Sequence, residues 1–416
     1  MIPRLSIVAL LSLSSALSAA APEPFKGDVE QPPHSYSQRP LQDRFTKMKD
    51  AFEAGRIPLD GSSEKAFLLS LLKVLGVPAS SQMLVFSTTS LQLRYITPGN
   101  PRALFFNEDL YVGYIPGARL EIVSLDPEAG AVFYIFDIPR GGQPIRIERS
   151  DRCANCHIGD DTGHVPGLLV KSVVPGPTGG SLISFRQAQS GHGIPFDQRF
   201  GGWYVTGGRG IAEHWGNTIG RMAEGKVTKT TIEPGRLFDF AKYPVATSDV
   251  LPQLLLEHQT GFVNRVVEAN YRTRAALHTD GEKLTPAHTA ELAEQARLVT
   301  RYLLFADEVP LPATGLQGDT AFKKDFLQTR RPTAAGLALK DFDLRTRLFR
   351  QRCSYMIYSP VFAGLSPSMK QSIYRRLREA LSVERPDREY SYLPATEKQA
   401  IRGILQATLT DLPAGW

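Results

Sequence analysis

Cysteine is scarce, with 3 in 416 residues, too few for a disulfide-stapled scaffold. No glycine-rich phosphate loop and no internal repeat occurs. That argues against the common nucleotide-binding and solenoid signatures. Past the first twenty residues no apolar run is long enough to cross a bilayer. Basic and aromatic residues are not interleaved, and a net charge of +6 is modest for this length. Nucleic acid is therefore not an expected partner. No spacing of Ser, His and Asp points to a nucleophile and its base. Hydrophobic residues at 42% and charged residues at 22% describe an ordinary globular chain.

Two of the three cysteines stand with a histidine in Cys153-Ala154-Asn155-Cys156-His157. This C-x-x-C-H spacing is the attachment motif of a c-type haem. Two thiols three residues apart can each add across a haem vinyl group. The next residue then places an imidazole under the iron as an axial ligand. A cysteine pair also serves as a redox dithiol, as one corner of a zinc site, or as a local disulfide. Zinc wants four N or S ligands. Here there is no second C-x-x-C and no H-x-x-x-H; Cys353 is the remaining thiol and His164 the nearest histidine. A redox dithiol belongs near a βαβ pattern, which is missing. One covalent haem c is the expected cofactor, with Cys153 and Cys156 as attachment residues and His157 as proximal iron ligand.

At these residues the chain resembles the c-type cytochromes. The likeness runs from Arg152 to Asn217, through His164-Val165-Pro166-Gly167-Leu168, Gly201-Gly202-Trp203-Tyr204-Val205-Thr206-Gly207 and His214-Trp215-Gly216-Asn217. This stretch is similar to a group of secreted bacterial single-haem proteins with a cytochrome c domain. It continues weakly into Leu254-Leu255-Leu256-Glu257-His258-Gln259. The resemblance implies a haem and a compartment outside the cytoplasm, and no substrate. Residues 1–20 agree, because they read as a signal peptide. Arg4 supplies the basic start, Leu5 to Leu17 is mostly apolar, and Ser18-Ala19-Ala20 puts small residues before the cut. A periplasmic or secreted protein is expected, with no transmembrane segment after cleavage.

The rest of the chain reads as α+β. Proline-rich residues 21–40 suggest an extended, mobile lead-in. Residues 41–138 hold two helices and then a β-meander. Phe45, Met48 and Phe52 recur at helical spacing, and Ser62 or Ser63 is placed to cap a second helix through Leu75. Met83 to Phe86, Ala103 to Phe106, Leu110 to Tyr114, Leu120 to Leu125 and Val132 to Phe136 read as strands separated by turn signals. Residues 139–249 form the loop-rich haem region, with extended segments at Leu168 to Val174, Leu182 to Phe185 and Trp203 to Thr206. Small helical cytochromes place the motif after an N-terminal helix; here it follows a sheet, so the haem is expected in a pocket against that sheet. Residues 250–416 are helical, with Thr285-Pro286 and Ser366-Pro367 as helix starts.

A sixth iron ligand needs a loop between it and His157. His192 and His214 have ample chain, Met222 is the weaker thioether candidate, and His164 is close. His258 falls on an apolar stripe and reads as a hydrogen-bonded core residue. His34 lies in the lead-in; His278 and His288 lie in polar helix-end sequence. Arg152, Arg186, Arg199, Trp203 and Tyr204 are candidates for the propionate edge of the haem. Asp160-Asp161 reads as a solvated turn, and Cys353, among apolar neighbours, as a buried inert thiol. Charge is uneven: residues 321–416 carry 17 Lys and Arg against 9 Asp and Glu, a net +8 that leaves −2 for the remainder. Arg375, Arg376 and Arg378 cluster on one helix and suit an acidic redox partner. The expected function is electron transfer. The alternative is a peroxidase-like haem enzyme or a diatomic gas sensor with an open iron position.

Overall fold

The computed structural model describes residues 24–140, 143–185, 191–208, 210–281 and 283–416. The expected signal peptide and Arg186 lie outside them. Asp43 caps helix α1 (Arg44–Glu53) by accepting from the Thr46 amide, and Ser63 caps α2 (Glu64–Val74) by accepting from that of Ala66. Both bury the apolar side that their spacing predicts, with Phe45, Phe52, Leu68 and Leu71 fully inside.

The meander follows as β1 (Met83–Val85), β2 (Arg102–Phe106), β3 (Leu110–Tyr114), β4 (Leu120–Asp126) and β5 (Gly130–Phe136), each antiparallel to the next. A short β6 (Glu148–Arg149) adds to β5. Residues 139–249 contribute β7 (Val173–Pro175) paired with β8 (Ser181–Ser184), then β9 (Trp203–Tyr204), then the hairpin β10 (Thr218–Ala223) and β11 (Lys226–Thr231). Strand β9 lies antiparallel beside β1, so the seven-stranded sheet runs β6-β5-β4-β3-β2-β1-β9. The sequence motif occupies a one-turn helix, α3 (Ala154–His157).

The C-terminal part is helical: α4 (Val250–Asp280), α5 (Pro286–Leu303), α6 (Thr320–Phe326), α7 (Pro360–Ala363), α8 (Pro367–Ala380) and α9 (Ala395–Thr408). Proline opens α5 and α8 where its missing N–H costs nothing. No helix among the described residues is long and apolar enough to cross a membrane. The architecture is thus α+β, with N-terminal helices, an antiparallel sheet, short strand pairs and a helical C-terminal region.

The two faces of the sheet differ. On one, Tyr134 and Phe136 pack on Phe45 of α1. On the other, Tyr111 donates to Gln259 of α4 at 2.8 Å. Away from α4 that second face is only half covered. Buried Leu120 and Ile122 alternate with half-buried Glu121 and Val123. Paired registers put Leu104, Gly113, Glu121, Val123, Phe133 and Ile135 together on it.

Residues 24–40 are not an extended arm. They run in turns that bury Phe25, Val29, His34 and Tyr36. Tyr36 donates to the Ala131 carbonyl at 2.7 Å, and the His34 ring stacks on Tyr271 at 4.5 Å. The apolar residues there follow no helix or strand period, so prolines dominate the sequence signal. One buried cluster runs from Phe25 to Trp416 and joins all the regions.

Candidate haem site

Cys153 is half-buried and Cys156 exposed, both as free thiols. The Cys153 Sγ lies 3.4 Å from Ser150 Oγ, to which it donates. Burial pushes its pKa up, the reverse of what a reactive dithiol requires. The His157 ring tilts against Phe133 of β5, centroid to centroid 4.6 Å. Its Nδ1 lies 2.9 Å from the Gly167 carbonyl oxygen. A carbonyl only accepts, so Nδ1 carries the hydrogen and Nε2 keeps the lone pair. Burial lowers the pKa of the ring, which favours the neutral form that ligates metal.

The chain after His157 folds back tightly. The Gly167 amide and the Thr162 hydroxyl both donate to the His157 carbonyl, at 3.0 and 3.2 Å. Asn264 of α4 accepts from the Leu168 amide at 2.8 Å and donates to its carbonyl at 2.9 Å. A Cβ on Gly167 would sit 2.5 Å from that Asn264 Oδ1, so a larger residue would displace the Asn264 amide. The Ala131 amide of β5 donates to Pro166 O at 3.1 Å. Asn264, Ala131 and Phe133 thereby hold the carbonyl that orients His157. Asp160 and Asp161 are exposed, and Asp161 meets Lys171 at 3.0 Å.

Next to the motif, between residues 91–95 and 137–152, opens a cavity of about 1110 Å³. That is room for a cofactor-sized ligand. Ser150 and Arg152 form its wall nearest Cys153, and Ile135 and Arg119 its floor on the open side of the sheet. Apolar and cationic linings together fit an amphipathic group that carries carboxylates. Among the described residues no three His, Cys, Asp or Glu side chains converge as a metal group. Among those residues, then, no third side chain joins Cys153 and Cys156 toward the four ligands of structural zinc.

The candidates for the sixth iron position are spread out. His192 is buried against α4 and α5, with Nδ1 2.8 Å from His258 Nδ1 and Nε2 3.2 Å from Ala306 O. Neither nitrogen is free. His214 accepts the Gly216 amide on Nδ1 at 3.0 Å, which puts the hydrogen of its neutral ring on Nε2. Met222 is 58% exposed on the β10–β11 hairpin. His164 leans back on Asp160 at 3.2 Å. His258 is fully buried and hydrogen-bonded, and Cys353 is fully buried. His278 is exposed, while His288 binds Asp280 at 2.6 Å.

Three of the residues proposed for the propionate edge are committed elsewhere. Arg199 pairs with Glu257 at 2.9 Å in the interior. Trp203 donates to Lys171 O at 3.0 Å, and Tyr204 to Pro98 O at 2.8 Å. The Arg199 and Tyr204 bonds tie residues 139–249 to α4 and to the segment before β2, and the Trp203 bond braces that region internally. Arg152 is exposed and lines the cavity. Sequence reasoning missed Phe133, Asn264, Arg94 and Arg119; an isolated aromatic, amide or arginine carries no pattern until the fold brings it beside the motif. Compared with family models, with curated proteins and with solved structures, the chain matches none.

Proposed function

We propose that the chain is an exported protein carrying one covalent haem c and that its work is electron transfer. The observation that carries this reading is the bond from His157 Nδ1 to Gly167 O. It fixes a neutral imidazole with its lone pair on Nε2, one residue from an exposed thiol and four from a second. Cys153 and Cys156 would hold the haem covalently and His157 would ligate its iron; the haem supplies one-electron exchange. The folded-back loop and Asn264 keep the ring from rotating, a supporting arrangement that commonly tunes a metal centre. An acidic redox protein is the proposed partner. Arg375 and Arg378 are exposed for it, whereas Arg376 is tied to Asp387 and Glu389.

The test is expression alongside haem-attachment machinery. A denaturing gel should show haem stain at the protein band, and His157→Ala should abolish attachment or leave a high-spin, unstable product. Colourless protein with zinc bound would overturn the reading, and so would an unchanged spectrum in correctly processed His157→Ala.

A second reading, an open iron position in a haem enzyme or gas sensor, is favoured by one observation: both nitrogens of His192 are already bonded. Carbon monoxide added to the reduced protein separates the two. Little immediate shift of the Soret band is expected of the carrier. Rapid stoichiometric binding would replace it with the second reading.

A further inference from the structure

The lining of the cavity beside the motif is of two kinds. Leu91 and Leu93 are 39% and 54% exposed and line it. Their loop is not loose. Ser90, Gln92 and Arg102 all bind the Glu121 carboxylate of β4. Gln92 also exchanges two hydrogen bonds with the backbone of Arg119, each 2.9 Å. Two large apolar side chains are thus held out over an opening by a fixed backbone, which is a mark of a ligand surface rather than of a mobile tip.

The rest of the lining is cationic. Arg119, Arg140, Arg146 and Arg152 contribute to it, and Arg94 joins them from the Leu93 loop. Glu64, Asp137 and Glu148 are the lining carboxylates, so five charges against three leave +2. Arg119 is poorly satisfied. Its Nη2 is 3.2 Å from Glu148 and 3.4 Å from Ile135 O, while Nε is 3.6 Å from Asp137 and makes no hydrogen bond. Such contacts are long for a guanidinium, which binds carboxylates at about 2.7–2.9 Å.

We infer that this arginine rim holds the two propionate carboxylates of the haem, with Arg119 as the anchor and Leu91 and Leu93 against the apolar ring. A net +2 matches a dianion. Cys153, whose thiol bonds the lining residue Ser150, ties the motif to the same cavity. The inference rests on the haem reading above, and Arg119 is here a positioning residue rather than an attachment residue.

The test uses the haem-loaded full chain as wild type, Arg119→Gln and Arg119→Lys. The readouts are covalent haem content and the midpoint potential from pH 5 to 9. Haem content should be equal in all three, because the thioethers hold it. The propionate-linked inflection should move up by about one pH unit in Arg119→Gln, since a nearby arginine lowers a carboxylate pKa by about 1–3 units. Arg119→Lys should stay near wild type. If Arg119→Gln fails to fold, Arg146→Gln and Arg152→Gln together give the same readout. An inflection unmoved in a haem-loaded variant overturns the propionate assignment and leaves the haem reading standing. Wild-type protein without haem overturns both.

Discussion

At the scale of single residues, the structure settles proton positions that the sequence left open. His192 Nε2 faces the Ala306 carbonyl, so it carries a hydrogen and His192 Nδ1 is an acceptor. His258 Nδ1 must then donate to it at 2.8 Å, and His258 Nε2 accepts from the Ser354 hydroxyl at 2.7 Å. The chain Ser354–His258–His192 has one consistent direction, and it needs both rings neutral. Burial, with Arg265 adding to it, lowers His258 to about 3; burial and then His258 also push His192 well down.

Both imidazoles would gain protons on unfolding below about pH 6.5. Their contribution to stability is complete above that pH and is lost as pH falls toward the folded values. His258→Gln cannot titrate. Its stability deficit, about 1–3 kcal/mol at pH 8, should shrink below pH 6.5 by roughly 1.4 kcal/mol per unit. Denaturant melts at pH 8, 6 and 5 measure this; a constant deficit would mean that the pair is not held neutral.

Elements carry the next level, and α4 is the central one. It caps on Asp249 and buries residues on all sides in its first half. It also meets the sheet through Gln259, the motif loop through Asn264, and the N-terminal turns through Tyr271. Asn264→Ala would leave the Leu168 amide and carbonyl unpaired, at a cost of about 1–3 kcal/mol. It should also loosen the Gly167 carbonyl that orients His157. Chemical denaturation of the variant should show that loss, whereas stability within a few tenths of wild type would show that the clamp is unimportant.

Much at this scale was legible. Ser63 and Thr285 announced their helices because capping is local, Pro367 announced α8 as a first-turn proline, and the five meander strands were readable from β-branched runs between turns. The β10–β11 hairpin was not, because its outer residues are mostly Lys, Thr and Arg with no alternating apolar face. Nor was β9's return to β1, which depends on contacts 120 residues apart in order and leaves no local mark. Of the site, the motif was plain from spacing. The cavity was invisible, since Leu91, Arg119 and Arg152 meet only once the sheet has formed.

In the whole molecule, one core supports two cationic surfaces. The open side of the sheet carries the motif and the arginine-lined cavity. The C-terminal helices carry a second cationic cleft with Arg375, Arg378, Arg385 and Arg402. This agrees with the excess of +8 in the last 96 residues, counted from 321 to 416. Such separation suits a protein that binds its cofactor on one part of the fold and meets a partner through long-range charge. The most direct measurement is mass spectrometry of the protein made with haem-attachment machinery and then stripped with acid-acetone. The expected result is one haem retained per chain, lying on the peptide that contains Cys153, Cys156 and His157 and lost in the double variant Cys153→Ala, Cys156→Ala. A chain of unmodified mass, or haem mapped to any other peptide, would contradict it.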